Sequence, residues 1–364
     1  MSALVAVLES EQIRIRKNRE GAMKKLLVAA AALAFGGAAG VAVVQAADAP
    51  PNWAYGFTTP PPATPPAPAA PAPAAAPDTT TMHTLPGSKL TFTRPQIGNR
   101  FGPADWFPED HPTMPDIVAH GKESAQPQVF ACGLCHLPNG NGRPENANVT
   151  GLSYEYIVQQ LTDFRNGARK TSDPRKANTA LMAGFTKSMT DDDIKAAATY
   201  FASIPAKPWI KVVESDSVPK TRPNGGIFIT LTGADAGTEP IGDRIIETPV
   251  NADDTEIRRN PRSGFIAYVP PGSLKKGEAL VTAGVTASGA KVTACTACHG
   301  ADLRGLGPVP RLAGRSPSYI ARQLYDMQHG NRAGAWTPLM VPVVANLGPE
   351  DLLAASAYVA SLQP

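Results

Sequence analysis

Cys295-Thr-Ala-Cys298-His299 stands in the last quarter of the chain, and Cys132-Gly-Leu-Cys135-His136 stands 163 residues before it. Each is a C-x-x-C-H, the pattern through which haem is attached covalently. Two thiols three residues apart lie on one side of a helical turn, where each can add to a haem vinyl group. The histidine that follows then falls under the iron. The two motifs use all four cysteines of the chain, so none is left for a structural disulfide. A thioredoxin-like pair or a four-cysteine zinc site needs only C-x-x-C, and neither calls for a histidine after both pairs. The expectation is two covalently bound haem c groups, held by Cys132, Cys135, Cys295 and Cys298, with His136 and His299 on the iron.

The motifs belong to a longer duplication. The offset of 163 also relates Gly151 to Gly314, Tyr156 to Tyr319, Gln160 to Gln323, Leu161 to Leu324, Gly167 to Gly330 and Arg169 to Arg332. Farther on the offset becomes 158, carrying Met182 to Met340, Tyr200 to Tyr358 and Ala202 to Ala360; the difference falls in the polar loop between Lys170 and Ala180. Both copies read as helical. Ile157, Leu161 and Phe164 mark one apolar helix face, and Ile320, Leu324 and Met327 repeat it. Asp191, Asp192 and Asp193 follow Ser188-Met189-Thr190, where carboxylates suit the positive end of a last helix. Ile194, Ala197 and Phe201 then form its buried face, as Leu352, Ala355 and Val359 do in the second copy. A shorter helix is expected ahead of each motif, over 117–123 and 274–281.

Around these copies the chain reads differently. Its 364 residues allow two modest domains plus extras. Thirty-seven prolines and few aromatics point to long irregular segments. A net charge of +3, with no cluster of basic residues interleaved with aromatics, gives no case for nucleic acid. Lys24 and Lys25 precede an apolar run over 26–44 that ends in Val44-Gln45-Ala46. Residues 1–46 therefore read as a secretory signal cleaved after Ala46, with Met23 a candidate initiator; retained, the run would anchor the chain in a membrane. Residues 47–111 read as a Pro/Ala-rich linker and extended arm, with Trp106 and Phe107 as anchors on the first domain. Residues 211–270 are a connector whose β-branched runs at 227–232, 244–247 and 264–269 predict short strands or a hairpin, packed as a strap.

With these residues in view, the chain resembles a dihaem cytochrome c built from two class I cytochrome c domains, similar to periplasmic bacterial electron carriers. The resemblance implies an all-α fold of two tandem domains, 112–210 and 271–364. It implies a glycine of the first helix against an aromatic of the last, matched by Gly121 with Tyr200 and Gly277 with Tyr358. It also implies a proline carbonyl supporting the haem histidine, matched by Pro310; the first copy has Ala147 there, whose backbone carbonyl can still accept the bond.

A histidine and a methionine on the iron make an electron-transfer site, because the thioether favours ferrous iron and both axial positions are filled. Met340 lies between Pro338 and Pro342 in what reads as a loop, while Met327 fits a helix stripe. Met182, in what reads as the loop ahead of the last helix of the first copy, is its repeat partner, whereas Met189 maps onto Leu347, which cannot coordinate iron. The ligand sets expected are therefore His136 with Met182 and His299 with Met340.

Function follows as an expectation: a periplasmic, exported carrier rather than an enzyme, passing single electrons from a substrate dehydrogenase toward a terminal oxidase or cytochrome acceptor. The alternatives are a cytochrome subunit permanently bound to a membrane dehydrogenase, and a dihaem peroxidase. A peroxidase needs an open iron and an acid–base partner, and His83, His111, His120 and His329 show no such pattern.

Overall fold

The computed structural model describes residues 49–61 and 78–364. The expected signal segment and most of the Pro/Ala-rich linker lie outside the described residues. Among those described, no helix is long and apolar enough to cross a membrane.

The duplication is carried into three dimensions helix by helix. In the first copy α1 (Asp116–Ala119), α2 (Cys132–His136), α3 (Tyr154–Arg165), α4 (Ala177–Ser188) and α5 (Asp191–Ala202) follow one another. In the second the order is α6 (Ser273–Ala283), α7 (Thr296–His299), α8 (Pro317–Gln328), α9 (Thr337–Val344) and α10 (Pro349–Ser361). The repeat extends to the caps. Ser153 accepts the N–H of Tyr156 at the start of α3, and Ser316 accepts that of Tyr319 at the start of α8, each satisfying a donor left free in a first helical turn. Thr190 and Asp193 close a reciprocal capping box on α5. Gly151 and Gly314 both take positive φ, +61° and +68°, and each donates its N–H to a carbonyl at the end of its last helix, Ile204 at 3.1 Å and Val359 at 2.8 Å.

Each copy buries the apolar faces expected. Ile157, Ile194, Ala197 and Phe201 share one core with Ile117 and Val118. Ile320, Leu352, Ala355 and Val359 lie in a second core that also takes in residues of the connector and of the N-terminal arm. The first helices differ. Gly277 lies against α10 so closely that a Cβ there would meet Ala354 O and the Tyr358 Cβ, as the resemblance implied. Gly121 does not meet Tyr200. It lies beyond α1 at φ +66° and packs on the backbone of 129–131, so the helix expected over 117–123 stops after one turn where the chain turns left-handed.

The two copies are helical, as expected, and the connector carries the short strands and the hairpin predicted for it. There β1 (Ile210–Glu214) pairs in parallel with β5 (Phe265–Val269), which pairs antiparallel with β4 (Ile246–Pro249), and β2 (Thr221–Asn224) forms an antiparallel hairpin with β3 (Ile227–Thr230). Phe265, Ala267 and Val269 point inward and alternate with more exposed neighbours, which is why this β-branched stretch adopts period two rather than a helical period. Trp106 and Phe107 are anchors, as expected, but they build a small core with Leu85 and Ile97. Trp106 Nε1 donates to Arg258 O of the connector at 2.8 Å. A second anchor is absent from the sequence reading: Trp53, Ala54 and Tyr55 are buried in the second core, and the Tyr55 hydroxyl donates to Asp326 at 2.7 Å.

Candidate haem centres

Each histidine of the two motifs is held by a backbone carbonyl eleven residues later. His136 Nδ1 lies 2.8 Å from Ala147 O, and His299 Nδ1 lies 2.8 Å from Pro310 O. A carbonyl oxygen only accepts, so Nδ1 carries the proton in both rings and Nε2 keeps its lone pair. Burial pushes both imidazoles below the usual histidine range, which keeps them neutral and able to ligate a metal. Pro310 supplies its carbonyl, and the alanine at the equivalent place supplies the same atom, because the contact is made by backbone. The turn after each histidine also repeats: Gly300 takes φ +87° and ψ 153°, Leu137 φ +63° and ψ 154°. The leucine adopts there a conformation suited to glycine, which costs about 1–3 kcal/mol.

In the first copy Cys132, Cys135, His136, Met182 and Met189 all line one cleft with about 1370 Å³ of space between its walls, part of it open to solvent. Val129, Leu152, Ile157, Leu161 and Phe164 make most of that wall apolar, as a porphyrin face requires. The lining also includes Arg169, Lys176, Arg315 and Arg322. Lys176 is 4% exposed and its Nζ has no hydrogen-bond partner. Burial, helped by Arg322, pushes its ammonium down to about 7. An unpaired cation inside an apolar cleft is costly unless an anion enters with the ligand. A flat macrocycle bearing two carboxylates meets both demands, so the residues present fit a haem.

The methionine-bearing segments are helical, which corrects the loop reading of both. Met182 is in the middle of α4 and Met340 in the middle of α9. Pro338 occupies the first turn of α9, where a missing N–H is harmless, and Pro342 lies inside that short helix. Met340 and Met327 are both partly buried against the second core. Met189 is 6% exposed, in the first core between α4 and α5.

Other repeated residues meet between the copies. Arg169 donates to Gln160 of its own copy at 3.1 Å and to Tyr319 and Gln323 of the other at 3.0 and 2.8 Å. Arg332 mirrors this, donating to Gln323 at 3.2 Å and to Tyr156 and Gln160 at 2.8 Å each. Lys170 N to Asn331 O and Ala333 N to Ala168 O close the backbone on either side. Burial raises the Tyr319 phenol, but the guanidinium groups of Arg169, Arg315 and Arg332 outweigh it and hold the group below its usual range. The matched pairs Tyr156/Tyr319, Gln160/Gln323 and Arg169/Arg332 were visible in the sequence only as identities; here they form one crossed clasp.

A model of the cytochrome c family matches residues 118–205. The thiosulfate dehydrogenase electron acceptor of Stutzerimonas stutzeri is 34% identical over 241 residues, 65% of this chain and 82% of the relative. Cytochrome c4 of Stutzerimonas stutzeri is 26% identical over 253 residues, 67% of this chain and 90% of the relative. Among solved structures, reduced recombinant cytochrome c4 from Pseudomonas stutzeri aligns at 23% identity with a TM-score of 0.42, covering 66% of this chain and 98% of that one.

Proposed function

The chain belongs to the dihaem cytochromes c built from two class I domains, and from that premise we propose that it works in the periplasm, taking electrons from a substrate-oxidising dehydrogenase and passing them toward a terminal oxidase or another cytochrome. It binds two haem c groups covalently and is an electron-transfer protein, not an enzyme. When bound, each haem supplies a one-electron ferric/ferrous couple. Cys132 and Cys135 hold the first and Cys295 and Cys298 the second. The carbonyls of Ala147 and Pro310 orient His136 and His299, and Met182 and Met340 are the sixth ligands in this reading. The two domains span 112–210 and 271–364.

The observation that carries the reading is the paired Nδ1–carbonyl bond at 2.8 Å in both copies, since it leaves two imidazole lone pairs each beside a cysteine pair. The similarity to thiosulfate dehydrogenase electron acceptors makes a dehydrogenase of inorganic sulfur compounds the first donor to try. Mixed with such an enzyme and its substrate, the purified protein is expected to take up two electrons per chain without turning over peroxide. A mass corresponding to one haem, or peroxide turnover at enzymic rates, sinks the proposal.

Lys176 has no counterpart in the second copy, because it lies in the loop where the offset changes. Its cation disfavours the more positive ferric state of the first haem. Lys176→Met should therefore lower that haem's potential by an amount on the order of 50 mV and leave the second unchanged. Potentiometric titration of the two visible bands checks this; equal shifts at both haems would deny the residue a local role.

A further inference from the structure

The two haem-attachment motifs have opposite surroundings, and the contrast follows the repeat position by position. Over the first motif lies a run of the connector, residues 251–262. Arg259 donates to Leu134 O inside the motif. Asn139 and Asn141 donate to Pro261 O at 2.8 and 3.2 Å, and Arg143 to Thr255 O at 3.2 Å. The positions 163 residues later are Ala297, Asp302, Arg304 and Leu306, and all four are exposed, Leu306 at 66%. Among the described residues Asp302 and Arg304 bond only locally, to each other. Cys135 is half-buried and Cys298 is exposed.

The covering run is itself held from behind by the N-terminal arm. Arg94 donates to Ile257 O, and Trp106 Nε1 to Arg258 O at 2.8 Å. Arg262 pairs with Asp110 at 2.7 Å and Glu109 at 3.0 Å while lying 3.6 Å over the Phe107 ring. Arg259 adopts φ +50°, a conformation a side-chain-bearing residue takes only when its surroundings impose it. Two segments outside both copies of the repeat thus converge on one motif, while in its twin Ala297 and Cys298 stay exposed beside a buried His299.

We propose that residues 251–262, pinned by the arm, are a fixed cover over the attachment edge of the first haem, so that one-electron partner proteins exchange electrons with this chain at the attachment edge of the second haem and not at that of the first. This rests on the electron-carrier reading above. Its physical basis is that tunnelling falls exponentially with the distance between redox centres, so one intervening layer of protein decides which centre a partner addresses.

The test uses the oxidised holoprotein, whose haem methyl resonances are shifted clear of the rest of the spectrum by the ferric iron. A neutral, soluble gadolinium chelate is expected to broaden the thioether-side methyls of the second haem several-fold more than those of the first. The double variant Arg259→Ala, Asn139→Ala should bring the first haem's broadening up toward the second's, with the second unchanged. If that variant fails to fold, Arg262→Ala loosens the cover from its outer side and serves the same purpose. Equal broadening of both haems in the natural protein overturns the proposal. So does a variant in which amide exchange over 251–262 accelerates while the first haem's broadening stays put. A preparation carrying one haem would count against the carrier reading, and the two failures are thereby told apart.

Discussion

Met182→Ala should leave the first haem attached through Cys132 and Cys135, yet lower its potential and open its iron to cyanide and carbon monoxide. The competing residue is Met189, which lines the same cleft. The repeat separates them, because Met182 maps onto Met340 while Met189 maps onto Leu347. Leu347 is 8% exposed and Met189 6%, so the pair behaves as interchangeable apolar filler. Met189 also directly precedes Thr190, the N-cap of α5, with Ile194 four positions into that helix. A hydrophobic residue there staples the helix entry. Met189→Ala is accordingly expected to cost about 2–5 kcal/mol of stability and to keep the spectrum of a methionine-ligated haem. Visible spectra with and without added cyanide decide the matter. The assignment fails if Met189→Ala opens the iron and Met182→Ala does not.

Arg332→Leu should destabilise the protein by about 1–3 kcal/mol, the larger effect of the two clasp arginines. Arg332 is 7% exposed and serves three acceptors, Gln323, Tyr156 and Gln160. Removing the buried guanidinium takes the donor from the Tyr156 hydroxyl and leaves Gln160 and Gln323 to Arg169 alone, and that loss of buried partners is what costs. Arg169 makes the mirrored contacts from a half-buried position, so Arg169→Leu should cost less. Gln160 and Gln323 are each shared by both arginines, so the two losses should not add. Either single change leaves each glutamine one donor and only the double change leaves it none, so the double variant is expected to exceed the sum by about 0.5 kcal/mol or more. Denaturant unfolding of the four forms gives the coupling directly. Additive losses would mean that the two halves of the clasp stand independently.

Whatever rests on local chemistry or on period could be read from the chain alone. The C-x-x-C-H pairs name their cofactor because covalent attachment constrains adjacent residues. The two offsets, 163 and then 158, matched α3 with α8 and α5 with α10. The first of them also identified the carbonyl acceptor of the first copy at Ala147, since a backbone atom survives a change of side chain.

Helix boundaries set by competing terms were less legible. The Met182 and Met340 segments carry glycine or proline and little amphipathic contrast, so they read as loops. The tertiary structure makes both helical, because Pro338 in the first turn of α9 removes no bond and packing against the cores offsets the weak propensity and the bond lost at Pro342. The helix after Asp116 ended early for a similar reason, at a glycine whose left-handed turn only its contact with 129–131 requires.

What no local signal could reveal are the contacts between segments far apart in sequence. Nothing in the run Arg258-Arg259-Asn260-Pro261-Arg262 says that it lies on Leu134, more than a hundred residues earlier. Nothing in Asn52-Trp53-Ala54-Tyr55 says that its tyrosine reaches Asp326. Such contacts depend on where the chain returns in space, and every polar group involved could equally have faced water. The sequence by itself therefore determined that there are two haems, in two equivalent helical frames with the same histidine support. Only the tertiary structure decided that the frames are unequal, one attachment motif covered and the other exposed at Ala297 and Cys298, because burial is a property of what packs on a residue and not of the residue.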